Sequence, residues 1–158
     1  MKPASAGAFR VLGRLAAGVL ASQVAAFPAL ATLGEDVQTV ENDRVQMNAA
    51  LRTTSAAGYT VHEIQTATNT VIREYVSASG KVFAVSWQGP LLPDLRQTLG
   101  RYFSEYNSNA SEPHVGRRHL SIEGADLVVH SNGHMRAFYG SAYVRSLLPA
   151  NFPVDQIK

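Results

Sequence analysis

The chain has 158 residues, a formal net charge of +2 and no cysteine. The missing cysteines exclude disulfides, thiol nucleophiles, thiolate metal sites and the lipid-bearing cysteine of bacterial lipoproteins. The positive balance does not imply a nucleic-acid partner: Lys2, Arg10 and Arg14 precede every acidic residue, and beyond residue 31 eleven basic groups face twelve acidic ones, with Arg117-Arg118 the only basic dipeptide.

The N-terminus reads as an export signal. Lys2, Arg10 and Arg14 form a positive start, the stretch from Leu15 to Leu30 is mostly Ala, Leu, Val and Gly, and Ala29-Leu30-Ala31 offers a small-x-small cleavage site. Residues 1–31 are expected to be cleaved, leaving a protein that begins at Thr32 in the periplasm or outside the cell. No later stretch is apolar for long enough to span a membrane. Residues 32–158 fit one domain, long enough to bury a core without covalent staples.

Val37, Val40, Met47 and Leu51 recur near helical spacing behind a capping Asp36, which predicts a helix over 37–51. The run Thr53-Thr54-Ser55-Ala56-Ala57-Gly58 then reads as a linker. From Tyr59 to Gln88 the composition turns to Val, Ile, Thr, Tyr and Phe, broken at Ala67-Thr68-Asn69 and Ala78-Ser79-Gly80. Each break suits a three-residue hairpin loop with its third residue left-handed. Taken literally, the first loop sets Ile64 against Ile72, Glu63 against Arg73, His62 against Glu74 and Val61 against Tyr75. The second sets Tyr75 against Phe83 and Val71 against Trp87. One face then collects Val61, Val71, Tyr75, Phe83, Val85 and Trp87.

After Pro93-Asp94, the residues Leu95, Leu99, Tyr102, Phe103 and Tyr106 recur at steps of three and four and predict a helix on that face, with Arg101 and Glu105 as an exposed pair. Residues 107–116 read as a loop. A short strand over 120–123 precedes a hairpin whose arms, 126–131 and 134–143, flank Asn132-Gly133, a favoured type I′ turn. The expected class is α+β: an antiparallel β-meander plus a C-terminal β-hairpin, with helices packed on one sheet face.

Four of the five histidines fall between His114 and His134, near Glu112, Glu123 and Asp126, so metal ligation is the first chemistry to weigh. A turn at Asn132-Gly133 would send His130 and His134 to opposite faces, which leaves them weak ligand candidates and implies no metal or other cofactor. His62 beside Glu74 reads as a cross-strand polar pair. There is no Gly-x-Ser-x-Gly elbow, no Ser-x-x-Lys and no phosphate-cradling glycine loop, and no catalytic residue is assigned. Two features suit a binding role: Trp87, at a strand end beside Gly89-Pro90, and the hairpin tip with His134, Met135 and Arg136.

The blocks Tyr59-x-Val61-His62-Glu63, Val71-x-Arg73-Glu74-Tyr75-Val76, Val82-Phe83-Ala84-Val85-x-Trp87-x-Gly89-Pro90 and Gly133-His134-Met135-Arg136-Ala137-Phe138 together resemble a bacterial exported family known as domain of unknown function 2844. That resemblance implies export and a single domain, and it supplies no activity, cofactor or site residue. The residues favour a non-catalytic binding or accessory module acting on an envelope protein or polymer. The alternative is a hydrolase or metal-dependent enzyme built on the histidine-rich C-terminal half.

Overall fold

Seven short antiparallel strands carry the architecture, because β-branched and aromatic residues dominate the chain between its turn signals. The computed structural model describes residues 33–110 and 119–158, so the expected signal segment, His114, Glu112 and Arg117-Arg118 lie outside the described residues. In chain order the elements are α1 (Gln38–Gln46), β1 (Ala50–Ala56), β2 (Tyr59–Gln65), β3 (Val71–Ser77), β4 (Val82–Gly89), α2 (Leu95–Leu99), α3 (Phe103–Ala110), β5 (His119–Glu123), β6 (Leu127–His134) and β7 (Ala137–Val144). They build one sheet of order β1-β2-β3-β4-β7-β6-β5, with β1 and β5 at its edges.

The β2–β3 register is the one that the loop length dictates: Val61 faces Tyr75, His62 faces Glu74, Glu63 faces Arg73 and Ile64 faces Ile72. Asn69, third in the loop, has φ of 61°. The β3–β4 hairpin departs from its literal register. Val76 still faces Val82, but Tyr75 faces Ala84 and Ile72 faces Trp87, so Phe83 is an extra residue on β4. The bulge has a clear energetic reason. Without it Val85 and Trp87 would lie beside Arg73 and Glu63; with it they join Ile64 and Ile72.

That second face is the main core. Ile64, Ile72, Val82, Val85, Trp87, Leu127, Val129, Ala142 and Val144 pack there with Leu33, with Val40 of α1 and with Leu95 and Leu99 of α2. The helices therefore cover this face and not the one that holds Tyr75 and Val71. Asp94 caps α2, its carboxylate accepting from the Arg96 and Gln97 amides at 2.9 and 3.4 Å. Gly100, with φ of 48°, then breaks the expected continuous helix into α2, a single 3₁₀ turn over Gly100–Tyr102, and α3. Arg101 pairs with Glu35 rather than with Glu105.

The opposite face is covered in part by the segment after β7. Tyr75, Phe83, Ala84 and Ile157 are buried there, with Tyr59, Val61, Leu148 and Phe152 packed around them. Phe83 meets Phe152 edge to face at 4.8 Å between ring centres.

Two further expectations are corrected. Residues 50–56 are a strand, not the end of a helix and a linker: Ala50 to Ala56 pair throughout with β2, and Gly58, with φ of 87°, completes a two-residue turn. The C-terminal hairpin turns at Met135-Arg136, not at Asn132-Gly133, since His134 faces Ala137 while Asn132 and Gly133 lie within β6 and face Tyr139 and Phe138. Core burial selects this register. It opposes Leu127 to Val144 and Val129 to Ala142, whereas a turn at Asn132-Gly133 would set Arg136 against buried Val129.

Candidate functional site

The register of all six strand pairs aligns polar residues across the sheet. Arg52 faces Glu63, Glu63 faces Arg73, Arg73 faces Ser86, Ser86 faces Ser141, Ser141 faces His130, and His130 faces Ser121. One residue from each strand thus forms a polar row on the face away from the helices. Beside it runs a second row with His119, Asn132, Tyr139 and Gln88, and on its other side an apolar row with Val61, Tyr75, Ala84, Tyr143 and Val128. This face is graded from apolar, where the C-terminal segment lies, to polar and open.

Within the row two neighbouring pairs of side chains are bonded to each other. Arg73 Nε donates to Glu63 Oε2 at 2.8 Å, and Ser121 Oγ lies 3.0 Å from His130 Nδ1. Asn132 in the neighbouring row bonds His119. The centre of the row holds main chain: Ser86 Oγ and Arg73 Nη1 donate to the Lys158 carbonyl oxygen at 2.7 and 3.1 Å. The Lys158 N–H donates to the Tyr75 hydroxyl at 3.0 Å, and that hydroxyl lies 3.2 Å from the Lys158 oxygen and 3.3 Å from that of Gln156, either of which can take its proton. Ile157, only 8 % exposed, anchors the same segment.

Two clefts flank this plug. One, of about 310 Å³, is bordered by Trp87, Gln88, His130, Asn132, Tyr139 and Ser141 together with Lys158. The other, of about 600 Å³, is lined by Arg52, Tyr59, Glu63, Arg73, Gln156 and Lys158. A further cleft of about 280 Å³ shares Gln88 and Tyr139 with the first and reaches Arg136. The first two lie within the size range of small-ligand sites, and all three have hydrogen-bonding groups in their linings.

The residues singled out from sequence are distributed unevenly. Trp87 is buried at 1 % exposure in the helix-side core, its ring over Gly140, and it also borders the 310 Å³ cleft. His134, Met135 and Arg136 are exposed at the tip, Met135 at 87 %. Arg136 takes the left-handed position of the turn, with φ of 65°.

His130 and His134 project from the same face of β6, not from opposite faces, because the strand continues through Asn132-Gly133. Four residues along a strand separate them by about 13 Å, too far to share one ion. Among the described residues no three His, Asp or Glu side chains gather to hold a metal. The nearby acids are engaged elsewhere, Asp126 with Ser146 at 2.7 and 2.8 Å and Glu123 with Arg145 at 3.6 Å. His62 stands opposite Glu74 in register on the helix side, bonds Thr53 at 3.1 Å, and is held below the usual histidine pKa by its burial.

Sequence reasoning missed the polar row and the C-terminal plug. The row's spacing was readable on β2 and β3, but the bulge shifts β4 by one residue and the corrected turn moves β6 against β7. The plug carries Phe152 and Ile157 at irregular spacing around Pro149 and Pro153, with no periodicity to mark it.

No curated protein and no solved structure matches the chain. One family model, described as protein of unknown function (DUF2844), matches residues 29–157, and the chain belongs to that family.

Proposed function

We propose that residues 1–31 direct export and are removed, and that residues 32–158 form a single-domain, non-catalytic binding module of the bacterial cell envelope. Its ligand-binding surface is the sheet face away from the helices. The observation that carries this reading is the row of polar residues, one from each strand, whose centre already donates from Ser86 and Arg73 to one main-chain oxygen, that of Lys158. Such a surface recognises a hydrogen-bonding ligand through many modest contacts, with Tyr139, at 53 % exposure, available to stack on it. The tip residues His134, Met135 and Arg136 extend the same surface, since Arg136 shares a cleft with Gln88 and Tyr139.

Affinity capture from periplasmic extract, with purified cell-wall and lipopolysaccharide fractions run in parallel, tests the reading. Wild type should retain a partner or polymer that Tyr139→Ala and the His134→Ala, Arg136→Ala double variant retain much less. Equal recovery by all three proteins would refute the surface. For export, mass spectrometry of the protein from cells should find Thr32, or a residue within a few positions, at the N-terminus. An intact Met1 form in the cytosol would remove the envelope from the proposal.

One observation favours the hydrolase alternative: the Ser121–His130 contact at 3.0 Å. It has no carboxylate on the second ring nitrogen among the described contacts, and a lone serine–histidine pair lacks the group that fixes the histidine's orientation. Labelling of Ser121 by a fluorophosphonate probe would promote that reading.

A further inference from the structure

The two edges of the sheet differ in how far they are protected. β5 is five residues long, packs against α3, and carries His119 and a Glu123 paired with Arg145. β1 is seven residues long, its residues 52–56 are all exposed, it contains no proline, and Arg52 is its only charge. Exposed edges are ordinarily blunted by lysine, proline, bulges or a covering element, because their unpaired N–H and C=O groups template further pairing.

The direction of those groups follows from the ladder. The Thr66 N–H bonds the Thr70 carbonyl at 2.9 Å across the β2–β3 loop, so the even-numbered residues of β2 exchange bonds with β3 and its odd-numbered residues exchange bonds with β1. The odd residues Tyr59, Val61, Glu63 and Gln65 face Ala56, Thr54, Arg52 and Ala50. On β1 the even-numbered residues are therefore bonded inward, and Leu51, Thr53 and Ser55 direct their N–H and C=O groups out of the edge. These positions are symmetric about Thr53.

We infer that β1 pairs antiparallel with β1 of a second copy of this chain about a two-fold axis at Thr53. In that register Thr53 meets the partner's Thr53, a favourable β-branched pair, and Leu51 meets the partner's Ser55 in both directions, giving about six interchain N–H···O bonds. Arg52 falls opposite the partner's Thr54, so the guanidinium groups do not oppose each other directly. The two sheets become one, and neither chain exposes its longer edge. The pairing does not depend on what the polar row binds. It buries little side-chain surface, so the dimer is weak and concentration-dependent.

Sedimentation of the exported chain from about micromolar to about millimolar concentration should show conversion from monomer to dimer. Thr53→Pro removes an outward N–H while leaving the inward ladder intact, a position where an edge strand tolerates proline. It should raise the dimer dissociation constant at least tenfold with an unchanged circular dichroism spectrum. If that variant does not fold, Thr53→Lys, which keeps the N–H but opposes two ammonium groups at the axis, should give the same loss. Because the chain has no cysteine, a Thr53→Cys variant should be joined by a short bis-maleimide, whereas Ser121→Cys on the other edge should not. A wild type that stays monomeric throughout, or a dimer unmoved by both the proline and the lysine variant, overturns the inference.

Discussion

The two faces of the sheet differ in how far they are sealed. The helix side is closed: Leu33, Leu99, Val82, Leu127, Val129, Ala142 and Val144 have no exposed surface, and α1 and α2 seal it. The far side is sealed over only part of its area, by Phe152 and Ile157 on the Tyr59, Tyr75 and Phe83 rings. The rest of it carries hydrogen-bonding side chains beside clefts. Burial is thus concentrated on one face, while the proposed binding surface lies on the other, and substitutions at equal depth on the two faces should have unequal consequences.

The largest effect is expected at the centre of the closed face. Trp87→Ala removes a fully buried ring and should cost about 3 to 5 kcal/mol in chemical denaturation, enough to leave a marginal domain largely unfolded. Trp87→Phe should cost much less, because the buried indole N–H has no hydrogen-bond acceptor to lose among the described residues. If Trp87→Ala cost under about 1 kcal/mol, the helix side would not be the main core.

Ile157→Ala tests the partial seal on the other face. Its side chain is buried, but in the smaller of the two apolar clusters, so about 2 kcal/mol is expected, at the low end for such a truncation. The more informative readout is proteolysis, which should cut the segment after Leu148 faster in the variant while the strands stay protected. Unchanged cleavage would mean that the plug is held by its main-chain bonds alone. Glu63→Ala is a smaller step on the same face. Glu63 and Arg73 side chains are 35 % and 29 % exposed, and a pair so exposed should contribute about 1 kcal/mol or less. A loss of several kcal/mol would place the pair in a far drier setting than its exposure indicates.

The faces also differ in how much of them the sequence reveals. The β2–β3 pairing is legible because a three-residue loop with Asn69 in third place leaves one register, and Glu63 against Arg73 agrees with it. Placing Val85 and Trp87 needs the bulge at Phe83, and nothing local to Phe83 marks it. It arises because two strands must both bury apolar residues on the helix side. Asn132-Gly133 misleads in a similar way. That pair has strong turn chemistry, yet Gly133 serves packing within a strand, where a Cβ would come within 2.5 Å of the Phe138 ring. The less favoured Met135-Arg136 makes the turn because the alternative would bury an arginine. β1 is silent in sequence because both of its faces are largely exposed, so no alternation of apolar and polar residues betrays it. Local signals locate turns and strands here, and the demand for a common core decides which of them are used.

The smallest expected effect comes from the rim of the closed face. His62 lies next to edge strand β1, half-buried, and withdrawal from water lowers its pKa below 6.5. A histidine depressed on folding binds protons more readily in the unfolded chain. Its contribution to stability is therefore complete above pH 6.5 and is lost as pH falls from there through the folded-state value. Denaturation midpoints measured between pH 7.5 and pH 5 should decline for wild type and decline less for His62→Gln, which keeps a polar side chain near Thr53 without a titrating ring. Parallel curves for wild type and His62→Gln would show that His62 titrates alike in both states, and that the closed face ends one strand short of the edge.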